Sequence, residues 1–167
     1  GRLAKERGLS DKGAGGWDFI GELPTHQPES DYLFVHGSPR EPTNEYVFPE
    51  DVYNHTKLVS LFERVDQYCF QGHTHIPGVF TEDRDFISPE ECDYQYRLGQ
   101  PKIMVNVGSV GQPRDEDPRS CYVILDDMEN LLTLRLLEYP SQQTADKIVK
   151  LPELEDTPGH PLLTATI

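Results

Sequence analysis

The sequence has few cysteines and no long apolar run. Its three cysteines, Cys69, Cys92 and Cys121, lie far apart and form no Cys-x-x-Cys pair. An odd and scattered set excludes a disulfide framework and a cysteine-based zinc finger, and it favours a reducing, cytoplasmic compartment. No apolar stretch approaches the ~18 residues of a membrane-spanning helix, so no membrane association is expected.

Positive charge is also scarce. The chain has 15 Lys and Arg against 29 Asp and Glu, which gives a formal net charge of −14. This excess of negative charge opposes bulk binding to the phosphate backbone of nucleic acids. The length of 167 residues predicts one domain. The chain begins at Gly1 and not at Met, which is consistent with a fragment, a processed product or a boundary chosen for expression.

Hydrophobic periodicity predicts a mixed α/β order of elements. Residues 31–36 and 66–71 have the aromatic and β-branched content of buried strands, and residues 54–64 between them carry apolar residues at helical spacing. This order indicates a β-α-β unit. The remaining predictions are strands over 76–81 and 101–107, a solvent-facing acidic loop over 82–93, a hairpin over 120–126 and 131–138, and helices over 3–9 and 142–151.

Histidines stand at the carboxyl ends of the two predicted parallel strands. His36 closes the first strand, and His73 and His75 follow the second in the segment Gly-His-Thr-His. Open α/β sheets place their sites at these strand ends, and imidazole is a common ligand of transition metals. In an extended segment the side chains of His73 and His75 would project to the same side while Thr74 points away. The pattern therefore predicts that the three histidines form part of a metal site.

Three motifs resemble those of the calcineurin-like metallophosphoesterase superfamily, most closely its small prokaryotic phosphodiesterase and phosphatase branch. They are Val-His-Gly-Ser-Pro at 35–39, Gly-His-Thr-His at 72–75, and Asn-Val-Gly-Ser-Val-Gly-Gln-Pro-Arg-Asp at 106–115. The resemblance implies an α-β-β-α sandwich with a dinuclear site at the strand ends. It also implies that His36 and His73 bind one divalent transition metal ion (Mn, Fe, Co, Ni or Zn) and that His75 binds the other.

Three further motifs of that superfamily are missing from this chain: Asp-x-His, Gly-Asp and Gly-Asn-His. Asn54 and His55 form the only Asn-His pair, but they follow Tyr53 and open the predicted helix, so the role of proton donor is not assigned to them. We therefore expect residues 1–151 to be the C-terminal portion of a metallophosphoesterase domain that lacks its N-terminal strands, with 152–167 as a loosely held tail. The isolated chain is expected to be inactive.

Arg114 is the candidate for binding the phosphate of a substrate, because a guanidinium group binds phosphate in a bidentate fork. The alternative is a surface ion pair with Asp115 or Asp117. Residues 106–111 are expected to form a structural turn beneath the site, with a ligand role as the alternative. His26, His55 and His160 stand outside the motifs and are expected at the surface.

The resulting functional hypothesis is metal-dependent hydrolysis of phosphomonoester or phosphodiester bonds, completed by an N-terminal portion outside this chain. The alternative from another class is a non-catalytic protein-interaction module built on the same fold. A third hypothesis is a mononuclear histidine site that stands alone. That site would need a fourth ligand, and Cys69 is a poor one because its strand position directs it to the core.

Overall fold

A computed structural model describes residues 19 and 21–149 of the chain. The elements follow in chain order: β1 (His26–Glu29), β2 (Tyr32–Val35), a short 3-10 helix (Pro49–Tyr53), α1 (His55–Phe62), β3 (Tyr68–Gln71), β4 (Gly78–Thr81), β5 (Phe86–Ile87), β6 (Gln95–Arg97), β7 (Ile103–Asn106), β8 (Ser120–Asp126), β9 (Leu131–Leu137) and α2 (Ser141–Val149).

The larger of the two sheets has six strands in the order β1-β2-β3-β7-β4-β5. Its centre is parallel, because β2 pairs with β3 and β3 pairs with β7 in the same direction. The flanking strands β1, β4 and β5 run antiparallel to their neighbours. The predicted β-α-β unit is thus confirmed as β2-α1-β3, and the carboxyl ends of three parallel strands meet at one edge.

Side chains of the central strands alternate between two cores, as the period of two in a strand requires. Cys69 and Met104 face the first core, where they pack with Leu58 and Leu61 of α1. Phe70 and Val105, one position further along, belong to a second core that includes Cys121, Leu132 and Leu134 of the smaller sheet. The described layers are therefore helix, sheet and sheet, and the predicted α/β class is confirmed.

The smaller sheet has the order β6-β9-β8 and is antiparallel throughout. Its pair β8 and β9 matches the predicted hairpin closely, with the polar turn at 127–130. Three strands were not predicted: β1, which contains Pro28, and the short strands β5 and β6. The acidic segment 82–93 was predicted as a loop, but it contains β5, which pairs with β4.

Two sequence predictions lie outside the described residues, namely the helical turn at 3–9 and the tail at 152–167. Within the part of the chain that is described, neither helix combines the length and the apolar character needed to cross a lipid bilayer.

Candidate metal centre

The imidazoles of His36 and His73 lie side by side at the carboxyl ends of β2 and β3. Their ring centroids are 4.7 Å apart. The two strand ends are joined directly, because the N–H of Gly72 donates to the carbonyl oxygen of His36 at 3.0 Å. The parallel pairing of β2 and β3 therefore carries two residues that are distant in sequence to a single point.

The segment that carries His73 and His75 is not extended, and this corrects the expected backbone geometry. Both residues have positive φ, 64° for His73 and 62° for His75, so each adopts a left-handed conformation. A residue with a Cβ in this region stores of order 1–3 kcal/mol of strain, which the surroundings must offset. Thr74 between them is fully buried, as expected of a residue that points away from the site.

Asn106, at the end of β7, holds this strained turn in place. Its Nδ2 donates to the carbonyl oxygen of Gly72 at 2.8 Å and to Oγ1 of Thr74 at 2.6 Å, and its Oδ1 accepts from the N–H of Gly108 at 3.0 Å. The whole carboxamide is thus used within the protein, and the residue is only 1% exposed. This geometry supports the expectation that residues 106–111 form a structural turn beneath the site.

Gly108 is required where the chain passes from β7 towards β8. Its φ is +76°, and a Cβ there would lie 2.7 Å from Cβ and 2.8 Å from Sγ of Cys121. No larger residue fits this close approach without displacing the smaller sheet.

His75 is held in one tautomer by a backbone carbonyl. Its Nδ1 lies 2.7 Å from the oxygen of Gln112, and because a carbonyl only accepts, Nδ1 carries the proton and donates. The lone pair of the neutral ring is then on Nε2. Burial lowers the pKa of His75, the bond to Gln112 opposes this, and the charge of Arg114 lowers the pKa further. A neutral imidazole with its second nitrogen fixed by a carbonyl is the usual form of a metal-ligating histidine.

His73 is fixed at the opposite nitrogen. Its Nε2 lies 3.2 Å from the carbonyl oxygen of Asn44, which places the proton on Nε2 and leaves the lone pair on Nδ1. The pKa of the neighbouring His36 is lowered by partial burial and then by the positive charge that His73 would carry. Both effects favour the neutral imidazole of His36, which is the form of the ring that binds metal.

The loop between β2 and the 3-10 helix covers one face of His73, which sequence reasoning missed. The ring of Tyr46 stacks on His73 with a centroid distance of 3.8 Å and an angle of 21° between planes. Tyr46 also stacks with Phe48 at 5.5 Å and 7°. The aromatic residues at i and i+2 in this loop were the available signal, but only the fold shows that they meet a histidine.

Arg114 lies beside His75. Its backbone N–H donates to the carbonyl oxygen of His75 at 3.3 Å, and its charge acts on the pKa of that histidine. Asp117 pairs with Arg119 instead, with Nε of Arg119 at 2.9 Å from Oδ2 of Asp117. Among the residues that the structure describes, Arg114 takes part in none of the ion pairs.

The structure brings the rings of His36 and His73 together, but among the described residues it does not gather them with His75 into one ligand group. Within residues 19 and 21–149 there is no group of three or more His, Cys, Asp or Glu side chains arranged to hold a metal ion. Gln71, the last residue of β3, is 2% exposed, and neither its Nε2 nor its Oε1 has a hydrogen-bond partner in the described structure. Buried carboxamides are almost always paired, so this one marks a place where a polar partner is missing.

The other candidate residues lie away from this centre or have other roles. His26 is on the exposed edge strand β1, His55 is the exposed first residue of α1, and His160 is outside the described residues. The side chain of Asn54 caps α1 by accepting from the N–H of Lys57 at 3.1 Å. Cys69 is fully buried, and burial raises the pKa of its thiol to about 12, so it remains a protonated core residue.

An apolar groove of about 460 Å³ runs between the two sheets. Its lining includes Phe34, Phe70, Val107, Val110, Tyr122 and Leu125. Val110 is 69% exposed, and Phe34 and Tyr122 are each 37% exposed. The groove is flanked by β8, an edge strand of the smaller sheet among the described strands.

Comparison with known proteins identifies the family. The pattern of the calcineurin-like phosphoesterase superfamily domain matches residues 16–130, well over half of the chain. The chain therefore belongs to that superfamily. It is 35% identical over 127 residues to the uncharacterized protein MJ0912 of Methanocaldococcus jannaschii, a match that covers 72% of this chain and 47% of the relative. The chain thus spans about half the length of the curated relative that it matches.

Two solved structures have a similar fold. The crystal structure of a metallophosphoesterase from Sphaerobacter thermophilus superposes with a TM-score of 0.72 at 28% identity, covering 89% of this chain and 62% of that one. The hypothetical protein PH1004 of Pyrococcus horikoshii OT3 superposes with a TM-score of 0.59 at 16% identity, covering 92% of this chain and 54% of that one, and this second match concerns the fold alone.

Proposed function

We propose that the chain is the C-terminal portion of a dinuclear metallophosphoesterase that hydrolyses phosphomonoester or phosphodiester bonds. The observation that carries the proposal is the pair of adjacent imidazoles, His36 and His73, at 4.7 Å on two parallel strand ends, with His75 in the next turn. Family membership makes a phosphate ester the expected substrate.

The ring nitrogens of the three histidines fit the imidazole part of a dinuclear metal site. His36 and His73 would hold one divalent ion and His75 the other, through Nδ1 of His73 and Nε2 of His75. Nitrogen ligands of this kind accept Mn, Fe, Co, Ni or Zn. When bound, a pair of such ions supplies positive charge to the phosphoryl oxygens and lowers the pKa of the attacking water.

The carboxylate part of the site would come from an N-terminal portion outside this chain. Four observations support this: the absence of the Asp-x-His, Gly-Asp and Gly-Asn-His motifs, the unpaired carboxamide of Gln71, the apolar groove, and the half-length match to the relative. An added portion that covers the groove and pairs with β8 would bury apolar surface and satisfy the strand edge at once.

Arg114 is the proposed contact to the substrate phosphate. Its place beside His75 and the pairing of Asp117 with Arg119 favour this role over a surface ion pair. A guanidinium group here would hold the phosphate in a fork, whereas the histidines provide no positive charge while they are neutral.

Two further expectations accompany the proposal. The three cysteines are free thiols, which fits a cytoplasmic enzyme in a reducing compartment. The net charge of −14 opposes bulk binding to nucleic acid.

The second candidate function is a non-catalytic interaction module on the same fold. The observation in its favour is the exposed apolar groove, which a partner protein would cover equally well. The two candidates differ in whether the upstream sequence of the complete protein contains the carboxylate motifs. They differ also in whether the complete protein turns over a phosphate ester.

The test is hydrolysis of p-nitrophenyl phosphate and bis-p-nitrophenyl phosphate by the full-length protein, with and without Mn²⁺ or Co²⁺. We expect metal-dependent turnover, and we expect His73→Ala and His75→Ala each to lower kcat by about 100-fold or more, because ligand removal disables a cooperating unit. His26→Ala, on the exposed edge strand, is the matched control and should retain full activity. Melting curves that match the wild type would show that lost activity does not reflect unfolding.

Arg114→Lys belongs to the same series. If the guanidinium binds phosphate, kcat/KM falls at unchanged metal content, because an ammonium group cannot reproduce the fork. Unchanged kcat/KM would remove Arg114 from the site. Absence of metal-dependent turnover with both esters would favour the interaction module.

A further inference from the structure

Tyr46 is a partly exposed loop residue whose ring makes two aromatic contacts. It is 40% exposed, yet its ring stacks on His73 at 3.8 Å and also contacts the ring of Phe48. Its backbone carbonyl accepts from Nζ of Lys57 at 2.8 Å. Helix α1 thus holds the loop from one side.

Hydrogen bonds and an ion pair also fix the part of the loop that precedes Tyr46. Glu45 accepts from the hydroxyl of the fully buried Ser38 and pairs with Arg40. The N–H groups of His36 and Gly37 both donate to the carbonyl oxygen of Pro42. The loop that carries Tyr46 is therefore fastened at its start, at its middle and at α1, so the contact with His73 is built into the fold.

His73 needs such a contact because its backbone gives it little support. A left-handed residue after the end of a strand has no cross-strand neighbour to set the plane of its ring. The carbonyl of Asn44 fixes the Nε2 edge, and the face of Tyr46 fixes the plane. Together these two contacts fix the direction in which Nδ1, the unprotonated nitrogen of His73, points.

We propose that Tyr46 is a positioning residue for His73: its ring face sets the imidazole so that Nδ1 is presented to the metal ion that His36 and His73 share. The inference rests on the proposed metallophosphoesterase function. The hydroxyl group is not required, since within the described residues Oη of Tyr46 makes no hydrogen bond, whereas the ring makes both stacking contacts. Residues that orient a metal ligand are worth about 10- to 100-fold in metal affinity.

The test compares Tyr46→Phe and Tyr46→Leu in the full-length protein, with Tyr53→Leu as the matched control at a residue that is 90% exposed. Binding of Co²⁺ is measured by calorimetry and by its visible spectrum. We expect Tyr46→Phe and Tyr53→Leu to bind like the wild type, and Tyr46→Leu to bind one of the two ions about 10-fold or more weakly with an altered spectrum.

The outcomes separate this proposal from the function on which it rests. A wild-type protein that binds no Co²⁺ overturns the metal centre and the role of Tyr46 together. Wild-type affinity in Tyr46→Leu overturns the role of Tyr46 alone, and so does equal loss in Tyr46→Phe, which would assign the effect to the hydroxyl.

A second measurement applies even where Tyr46→Leu does not fold. Long-range ¹H–¹⁵N correlation spectra of the metal-free wild type should show His73 protonated on Nε2, with ring protons shifted upfield by Tyr46. Tyr46→Phe should keep both signatures, and protonation on Nδ1 in the wild type would overturn the proposal.

Discussion

At the scale of single residues, the candidate centre depends on side chains that bind no ligand themselves. Two left-handed histidines, one on each side of Thr74, are unfavourable in an isolated peptide. Asn106 offsets that cost, because one carboxamide satisfies the Gly72 carbonyl, the Thr74 hydroxyl and the Gly108 amide. The conformation of the two histidines therefore depends on Asn106 at the end of β7 as much as on the segment that carries them.

Replacing this carboxamide should be costly. Asn106→Ala removes three hydrogen bonds and leaves the buried Thr74 hydroxyl and Gly108 N–H without these partners, whereas the Gly72 carbonyl still accepts from the N–H of Thr74. We expect the substitution to lower the free energy of unfolding by about 2–4 kcal/mol. Urea denaturation followed by circular dichroism measures this. Gln27→Ala, at an exposed position on β1, is the control and should change stability by less than about 0.5 kcal/mol. A stability loss no larger than that of the control would show that Asn106 does not support the turn.

The positions of the histidines could be predicted from the sequence, but their conformations could not. Each apolar run ends at a histidine, and parallel pairing of β2 with β3 brings the two strand ends together. The approach of His36 to His73 therefore followed from the sequence pattern. The left-handed turn depends on Asn106, more than thirty residues away, and Tyr46 reaches His73 only through the loop built on Ser38 and Glu45. Contacts of this kind have no local signature in a sequence.

At the scale of elements, α1 and its cap locate the loop that touches the site. Asn54 has non-helical dihedral angles and accepts from the N–H of Lys57, while the same lysine donates from Nζ to the carbonyl of Tyr46. The start of the helix is thus linked to the residue that covers His73. Leu58, Leu61 and Phe62 then bury the opposite face of α1 against the sheet.

Removing the cap tests this link. Asn54→Ala should lower the free energy of unfolding by about 1 kcal/mol, whereas Asn54→Asp, which can still accept from the same N–H, should be nearly neutral. Chemical denaturation of both variants gives the comparison. Equal destabilisation by the two substitutions would show that the residue contributes something other than the cap.

The elements that the sequence did not reveal are edge strands. β1 has the sequence His-Gln-Pro-Glu, and its proline is compatible with a strand only because β1 pairs on one side, with β2. β6 is three residues long and exists through its pairing with β9. The buried strands carry their own hydrophobic signal, while edge strands take their conformation from a neighbour.

At the scale of the molecule, the two faces of the larger sheet differ in how completely their apolar side chains are covered. The core between α1 and the larger sheet is closed, with Leu61, Phe80 and Met104 fully buried. The opposite side has the apolar groove, exposed Val110 and Ile124, and the edge strand β8. A surface of this kind either receives another part of the same protein or attracts partners and aggregates.

The 167-residue chain and the full-length protein are expected to differ in metal binding, in turnover and in exposed apolar surface. Because no carboxylate completes the histidines within residues 19 and 21–149, the chain alone should bind Mn²⁺ or Co²⁺ weakly. It should hydrolyse p-nitrophenyl phosphate about 1,000-fold more slowly, since members of a catalytic unit act non-additively. Its open groove should also bind the dye ANS, while the full-length protein should not, because the proposed N-terminal portion would cover Phe34, Val110 and Tyr122. Vigorous metal-dependent turnover by the chain alone would mean that its own side chains complete the centre. Dye binding by both proteins would instead indicate that a separate partner protein covers the groove. The N-terminal portion could then complete the metal centre without covering the apolar surface.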